Sequence, residues 1–172
     1  RLTTALQFLQ NANRFHGAWP HWIDGNSGAV IPFGTKDNGG DLVETAFLAQ
    51  GLICVREYFK NSTDATELAL SKKADDLWKG IEWNWYTQGQ NVLYWHWSPN
   101  YGWDMNFPLE GYNECLITYI LAASSPTHSI DAETFYKGWT RNGTYLTDKT
   151  KYGLPLYVKH NYSEEYGGPL FW

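Results

Sequence analysis

Two stretches of this chain are apolar on nearly every helical face, and the stretch between them is amphipathic. GGDLVETAFLAQGLICVREYF, roughly residues 40–59, and YNECLITYILAAS, about 112–124, read as helices buried all round. The intervening helix can be capped by Ser62 or Thr63, with Glu67 near its first turn. Its Leu70, Ala74, Leu77, Trp78, Ile81 and Trp85 follow helical spacing, while Lys72, Lys73, Asp75, Asp76 and Lys79 fall mostly on another face. Buried, wet, buried is the order of a two-layered all-α fold, an α/α toroid whose inner helices are covered by outer ones. The inner helices of such a toroid run parallel, so their N-termini share one mouth. A plain helical bundle accommodates the same order without that consequence.

The rest of the chain is less regular. Residues 2–14 read as a helix ending before His16-Gly17, and Trp19 to Gly40, with Pro20 and Pro32, as loop or short strand. Residues 87–111 read as a hairpin or long functional loop, Asp131–Trp139 as a shorter helix, and TYLTDKTKYGLPLYV as a hairpin. A closed double ring needs roughly 180–220 residues before any long loop. Four or five helices do not close it, so residues 1–172 are expected to be part of a single larger catalytic domain.

Composition narrows the partners. Thirteen Lys and Arg against 18 Asp and Glu give a net charge of −5, which argues against nucleic acid or an anionic membrane surface. No run of about 18 apolar residues is present, so no membrane span is expected. The opening RLTTALQFLQNANRF lacks the layout of an export signal. Cys54 and Cys115 sit in apolar runs and read as buried free thiols. Three N-x-S/T triplets, at Asn61, Asn142 and Asn161, carry no weight alone. Ten Trp, 12 Tyr and 8 Phe, many in loop-like stretches, suit a sugar-binding cleft or, equally, an aromatic core.

The chemistry-bearing residues are carboxylates. Asp41 and Glu44, three apart at a helix start, share a face, and Asp37 adds a third carboxylate beside the Gly39-Gly40 pair. Acidic residues in a first turn also simply suit the helix dipole and its free N–H groups. Three around one turn exceed what capping requires. Glu114 lies two or three residues into the other buried helix, and parallel inner helices would aim it at the same mouth. Glycoside hydrolysis needs two carboxyl groups flanking the scissile bond, one protonated and one ionised. Crowding in an aromatic-walled cleft drives their proton affinities apart.

YWHWSPNYGWDMNF supplies Trp95, Trp97 and Trp103 as candidate sugar platforms, with His96 and Asn113 as partners for hydroxyls. In a strand, alternate members would face the cleft and the rest the core. Trp19, Trp22 and Trp139 are further candidates of the same sort. His16, His21, His128 and His160 make no ligand set, and no phosphate loop, dinucleotide fingerprint or G-x-S-x-G is present, so no metal or cofactor is expected.

GAWPHWIDGNSGAVIPF, KDNGGDLVETAFLAQGLICVREYF, LYWHWSPNYGW, EGYNECLITYILAASSPTHSI and YGGPLFW, in order, resemble the bacterial glucoamylase-like (glycoamylase) domain family, related to endo-β-1,2-glucanases. The resemblance implies an (α/α)6 barrel, of which this chain covers part, with an aromatic hairpin or loop at an acidic cleft. It implies metal-free hydrolysis of a glucan, most of all β-1,2-glucan, and location in the periplasm or at the surface of a bacterium. It places the essential acids at Asp37, Asp41, Glu44 and Glu114. A non-catalytic carbohydrate-binding domain, a glucan transglycosylase and an α-glucan-acting glucoamylase are the alternatives, and the remainder of the domain is expected to be needed for activity.

Overall fold

The structure is a computed structural model that describes residues 1–111, 113–144 and 150–155. It is mostly helical with small two-stranded sheets: α1 (Leu2–Asn11), β1 (Trp22–Ile23), β2 (Val30–Ile31), β3 (Gly40–Asp41), α2 (Leu42–Phe59), α3 (Ala65–Lys79), β4 (His96–Trp97), α4 (Leu116–Ser124), β5 (Thr150–Lys151) and β6 (Leu154–Pro155). The pairs β1–β2, β3–β4 and β5–β6 are antiparallel. The last of these is the hairpin expected from TYLTDKTKYGLPLYV; the remainder of that stretch and the YGGPLFW tail lie outside the described residues.

Helix α2 is central, packing on α3 along one side and on α4 along another, while α1 packs on α3. Leu42, Ala46, Ala49 and Leu52 of α2 and Leu70, Ala74, Leu77 and Trp78 of α3 belong to one buried core. Trp19, Trp83, Tyr86, Tyr119 and Trp139 fill it out with large rings. The caps follow the sequence with one shift. Asp64, rather than Ser62 or Thr63, caps α3, accepting from the Thr66 and Glu67 N–H groups at 2.7 and 3.0 Å. Its wet face carries the pairs Lys72–Asp76 and Lys79–Asp75.

Several expectations are corrected. Helix α1 ends at Asn11, earlier than residue 14, because the chain turns extended at Ala12. Helix α2 is not buried all round: Phe47, Gly51, Cys54 and Tyr58 are exposed along one stripe, so Cys54 is an exposed thiol while Cys115 is buried. Helix α4 begins at Leu116, which leaves Glu114 in the turn ahead of it. Ile81 and Trp85 lie beyond α3, which stops at Gly80. The segment Thr134–Trp139 is wound as a π-helix.

Gly39 and Gly40 explain how the long loop reaches the start of α2. A Cβ on Gly39 would meet the Trp97 carbonyl at 2.0 Å, and one on Gly40 would meet the Tyr86 hydroxyl at 2.1 Å. Only glycine lets β4 and Tyr86 approach so closely. Tyr86 is fully buried and its hydroxyl donates to the Phe15 carbonyl at 2.7 Å, tying three loops to this point.

Candidate functional site

The first turn of α2 is stitched to two loops. Asp41 N–H donates to the Trp19 carbonyl and Leu42 N–H to the Trp95 carbonyl, both at 2.8 Å. Trp19 N–H reaches the Thr45 hydroxyl at 2.8 Å. The register Asp41↔His96 then fixes which way each residue of the 94–97 segment faces. Trp95 turns toward Asp41, His96 toward Asp37, and Trp97 toward Phe15 and His16 on the other side.

A cavity of about 290 Å³ opens at this end, lined by His21, Val43, Glu44, Trp95, Phe107, Leu109, Asn113, Glu114 and Cys115. The N-terminus of α2 and the turn leading into α4 therefore share one mouth, as the layered reading of the sequence requires. Glu44 and Glu114 are both exposed to this space. Asn113 is there too, with its amide spent on the local turn: Oδ1 accepts from Cys115 N–H and Nδ2 donates to the Glu110 carbonyl. Burial pushes the Cys115 thiol up to about 12, so it stays protonated.

Asp41 is buried beneath the cavity, and all its acceptor capacity is in use. Oδ1 caps α2, accepting from Val43 N–H at 2.9 Å and Glu44 N–H at 3.0 Å. Oδ2 lies 2.7 Å from both His21 Nδ1 and Trp95 Nε1. Burial raises the carboxyl above its ordinary pKa, and the bonds from Glu44 N–H, His21 and Trp95 draw it back down.

Asp37, 4 % exposed, sits behind it without a hydrogen-bond partner on either oxygen among the described residues. Burial, and secondarily the Asp41 charge, push its carboxyl from 3.8 to about 6, with His21 opposing. His96 Nε2 lies 3.1 Å from Asp37 Oδ1 and accepts from Gly39 N–H at 3.1 Å. Burial lowers that imidazole to about 4, so it is neutral and offers the Asp37 carboxylate no positive charge. A buried carboxylate without a cation or N–H donor at either oxygen is disfavoured, which agrees with the raised proton affinity of Asp37.

His21, Asp37 and Asp41 each bring a ligand-type atom to within 4.8 Å of the others. A cation there would have to displace N–H donors from Asp41, so the arrangement as it stands is a hydrogen-bond network.

The other sugar-contact candidates are distributed differently. His96 is buried behind Asp37, off the cavity. Trp139 is fully buried and packs on Tyr119 at 5.5 Å, so it is a core residue. Trp97 packs edge-on to His16, and Trp103 joins Trp85 around a second cavity of about 660 Å³ with Glu82, Gln88 and His128. Trp22, half exposed, stands beside the site against His21 and Phe33 at 5.7 and 5.0 Å. His21 is the residue that sequence reasoning missed. Its only signal was position in a Trp- and Pro-rich loop, and nothing local pairs it with a carboxylate twenty residues away.

The chain is similar to several known proteins. Residues 106–172 match the glycoamylase family, described as "Putative glucoamylase". A curated relative from Parabacteroides distasonis, an exo β-1,2-glucooligosaccharide sophorohydrolase (non-reducing end), is 43 % identical over 99 % of this chain and 26 % of its own length. The solved endo-β-1,2-glucanase of Chitinophaga pinensis, in complex with sophorotriose and glucose, is 59 % identical with a TM-score of 0.94, over 99 % of this chain and 41 % of that one. A solved β-1,2-glucanase of P. distasonis is 42 % identical with a TM-score of 0.85, over 91 % and 25 %. The chain thus spans about a quarter of the curated relative it matches. These matches bear out the resemblance: the chain is similar to the glycoamylase family and, along nearly its whole length, to part of the β-1,2-glucanases.

Proposed function

We propose that this chain forms part of a glycoside hydrolase that cleaves β-1,2-glucan, with Glu44 and Glu114 as the carboxyl pair at the scissile bond. One observation carries the reading: Glu44 from the first turn of α2 and Glu114 from the turn before α4 open on the same aromatic-walled cavity. Both carboxyls are exposed to it, as groups that must reach a sugar have to be. Glu114 is assigned acid or base work at the glycosidic oxygen, and Glu44 the binding and activation of water. Asp41 and Asp37 support them from below, and Trp95 and Phe107 wall the space in which a sugar ring would sit.

The same reading extends to architecture. The exposed stripe Phe47, Gly51, Cys54 and Tyr58 on α2 has the spacing of a packing face, and further helices of an (α/α)6 barrel would cover it. Residues 1–172 would then be one section of a single catalytic domain, acting in the periplasm or at the cell surface on a glucan chain.

The test is product analysis. The longest form of the protein is incubated with β-1,2-glucan, β-1,3-glucan and starch, and the sugars are separated by chromatography. Short β-1,2-glucooligosaccharides from the wild type and none from Glu114→Gln are expected. Binding without products would make the chain a carbohydrate-binding domain. Cyclic or lengthened products would make it a transglycosylase, and products from starch alone would make the substrate an α-glucan.

A further inference from the structure

His21 lines the cavity, and its Nε2 has no hydrogen-bond partner among the described residues. The Nδ1 of the same ring lies 2.7 Å from Asp41 Oδ2, which also receives the Trp95 indole N–H at 2.7 Å. A carboxylate only accepts, so Nδ1 carries a proton, and in the neutral ring Nε2 keeps its lone pair. The ring plane is set as well: Phe33 lies against it at 4.1 Å and 30°, and Trp22 and Trp95 meet it edge-on. The side chain is 20 % exposed, whereas that of Asp41 is 0 % exposed. His21 reaches the cavity, and Asp41 does not.

We propose that His21 accepts, through Nε2, a hydrogen bond from a hydroxyl of the glucosyl unit at the scissile bond, and that Asp41 is a positioning residue acting through it. The inference rests on the glucan-hydrolase reading above and adds a contact residue to it. A sugar presents O–H donors in every direction, and the cavity answers with acceptors: the Glu44 and Glu114 carboxyls and the His21 lone pair. With four N–H donors already on it, Asp41 has no free direction toward a sugar. What it supplies is a fixed tautomer and a fixed ring. A buried carboxylate behind an imidazole does the same in hydrolytic triads and metal sites.

The substitution Asp41→Asn separates these roles. An asparagine oxygen still caps α2 through Val43 and Glu44, because Asn caps as well as Asp. Its NH₂ would face His21 Nδ1, moving the proton to Nε2 and turning the acceptor into a donor, and it would also take from the Trp95 indole N–H its acceptor.

The experiment measures kcat and KM on β-1,2-glucan for the longest form of the protein carrying His21→Ala, His21→Gln, Asp41→Asn or His21→Ala with Asp41→Asn. Thermal unfolding confirms that each variant folds. His21→Ala is expected to lower kcat by about 10²-fold with little change in KM, and His21→Gln, which keeps an acceptor, to recover part of the loss. Asp41→Asn is expected to lose activity in the wild-type background and to add less than about threefold in the His21→Ala background. Activity of His21→Ala within twofold of wild type, a loss confined to KM, or full additivity of the two substitutions would overturn the proposal. The comparison of His21→Ala with His21→Gln decides it even if Asp41→Asn fails to fold. A wild type that hydrolyses no glucan would instead remove the reading on which it rests.

Discussion

His21 Nδ1 lies 2.7 Å from Asp41 Oδ2, joining a loop that precedes β1 to the first turn of α2 across twenty residues of sequence. The same carboxylate caps the helix and receives the Trp95 indole, so one buried side chain fixes three segments at the floor of the cavity. Asp41→Ala removes the cap and leaves the half-buried Trp95 and His21 rings without their acceptor. A loss of about 2–4 kcal/mol in urea unfolding is expected, and a smaller one for Asp41→Asn, which keeps the cap but turns its NH₂ toward the Trp95 indole N–H.

Glu44 and Glu114 are exposed, and among the described residues their carboxyls make no hydrogen bond or ion pair. Glu44→Gln and Glu114→Gln should leave stability within about 0.5 kcal/mol. Each should lower kcat on β-1,2-glucan by at least about 10²-fold while oligosaccharide affinity, read by calorimetry, changes little. Unchanged turnover in either variant would remove that residue from the site.

Asp37 and His96 make opposite demands on pH. The Asp37 carboxyl is raised from 3.8 to about 6, so its contribution to stability is complete below about pH 4 and is lost as pH rises through 6. His96 is lowered from 6.5 to about 4, so its contribution is complete above about pH 6.5 and is lost as pH falls through 4. Each shift corresponds to about 3 kcal/mol, and between pH 4 and 6 the two slopes oppose. Wild-type stability is expected to be nearly flat there. Asp37→Asn should expose the His96 slope alone, seen in urea unfolding as stability that climbs from pH 4 to 6.5.

Trp139 and Trp95 should behave as opposites. Trp139 is fully buried against Tyr119, so Trp139→Ala should cost about 3–5 kcal/mol through the cavity it leaves. Trp95→Phe keeps a ring on the cavity wall but removes a donor from Asp41, so activity should fall further than stability. Unfolding curves and kcat on the same samples check both.

The carboxylates at the cavity were legible because they sit at helix starts, where sequence position alone sets direction. Asp41 and Glu44 are N-cap and first turn of an apolar helix, and Glu114 immediately precedes another, so a shared mouth followed from helix order. The aromatic loop was not legible in detail. The alternation from Trp95 to Trp97 is real, but which faces point to sugar depends on pairing with Gly40 and Asp41, a contact more than fifty residues away in sequence. His96 and Trp139 look like sugar contacts by type and are packing residues by burial. His21 escaped because its partner is set by the path of a loop, which no periodicity encodes. The apolar face of α2 around Phe47 and Tyr58 shows the converse, since apolar sequence marks a surface suited to burial without saying what covers it.

The most direct test is the crystal structure of the longest form of the protein, carrying Glu114→Gln, with a β-1,2-glucooligosaccharide bound. The account expects a glycosidic oxygen within hydrogen-bond distance of the residue-114 amide, with Glu44 and a water on the other side of the ring and a sugar hydroxyl on His21 Nε2. An oligosaccharide seated only in the cavity between Trp85 and Trp103, with the Glu44 side empty, would contradict it.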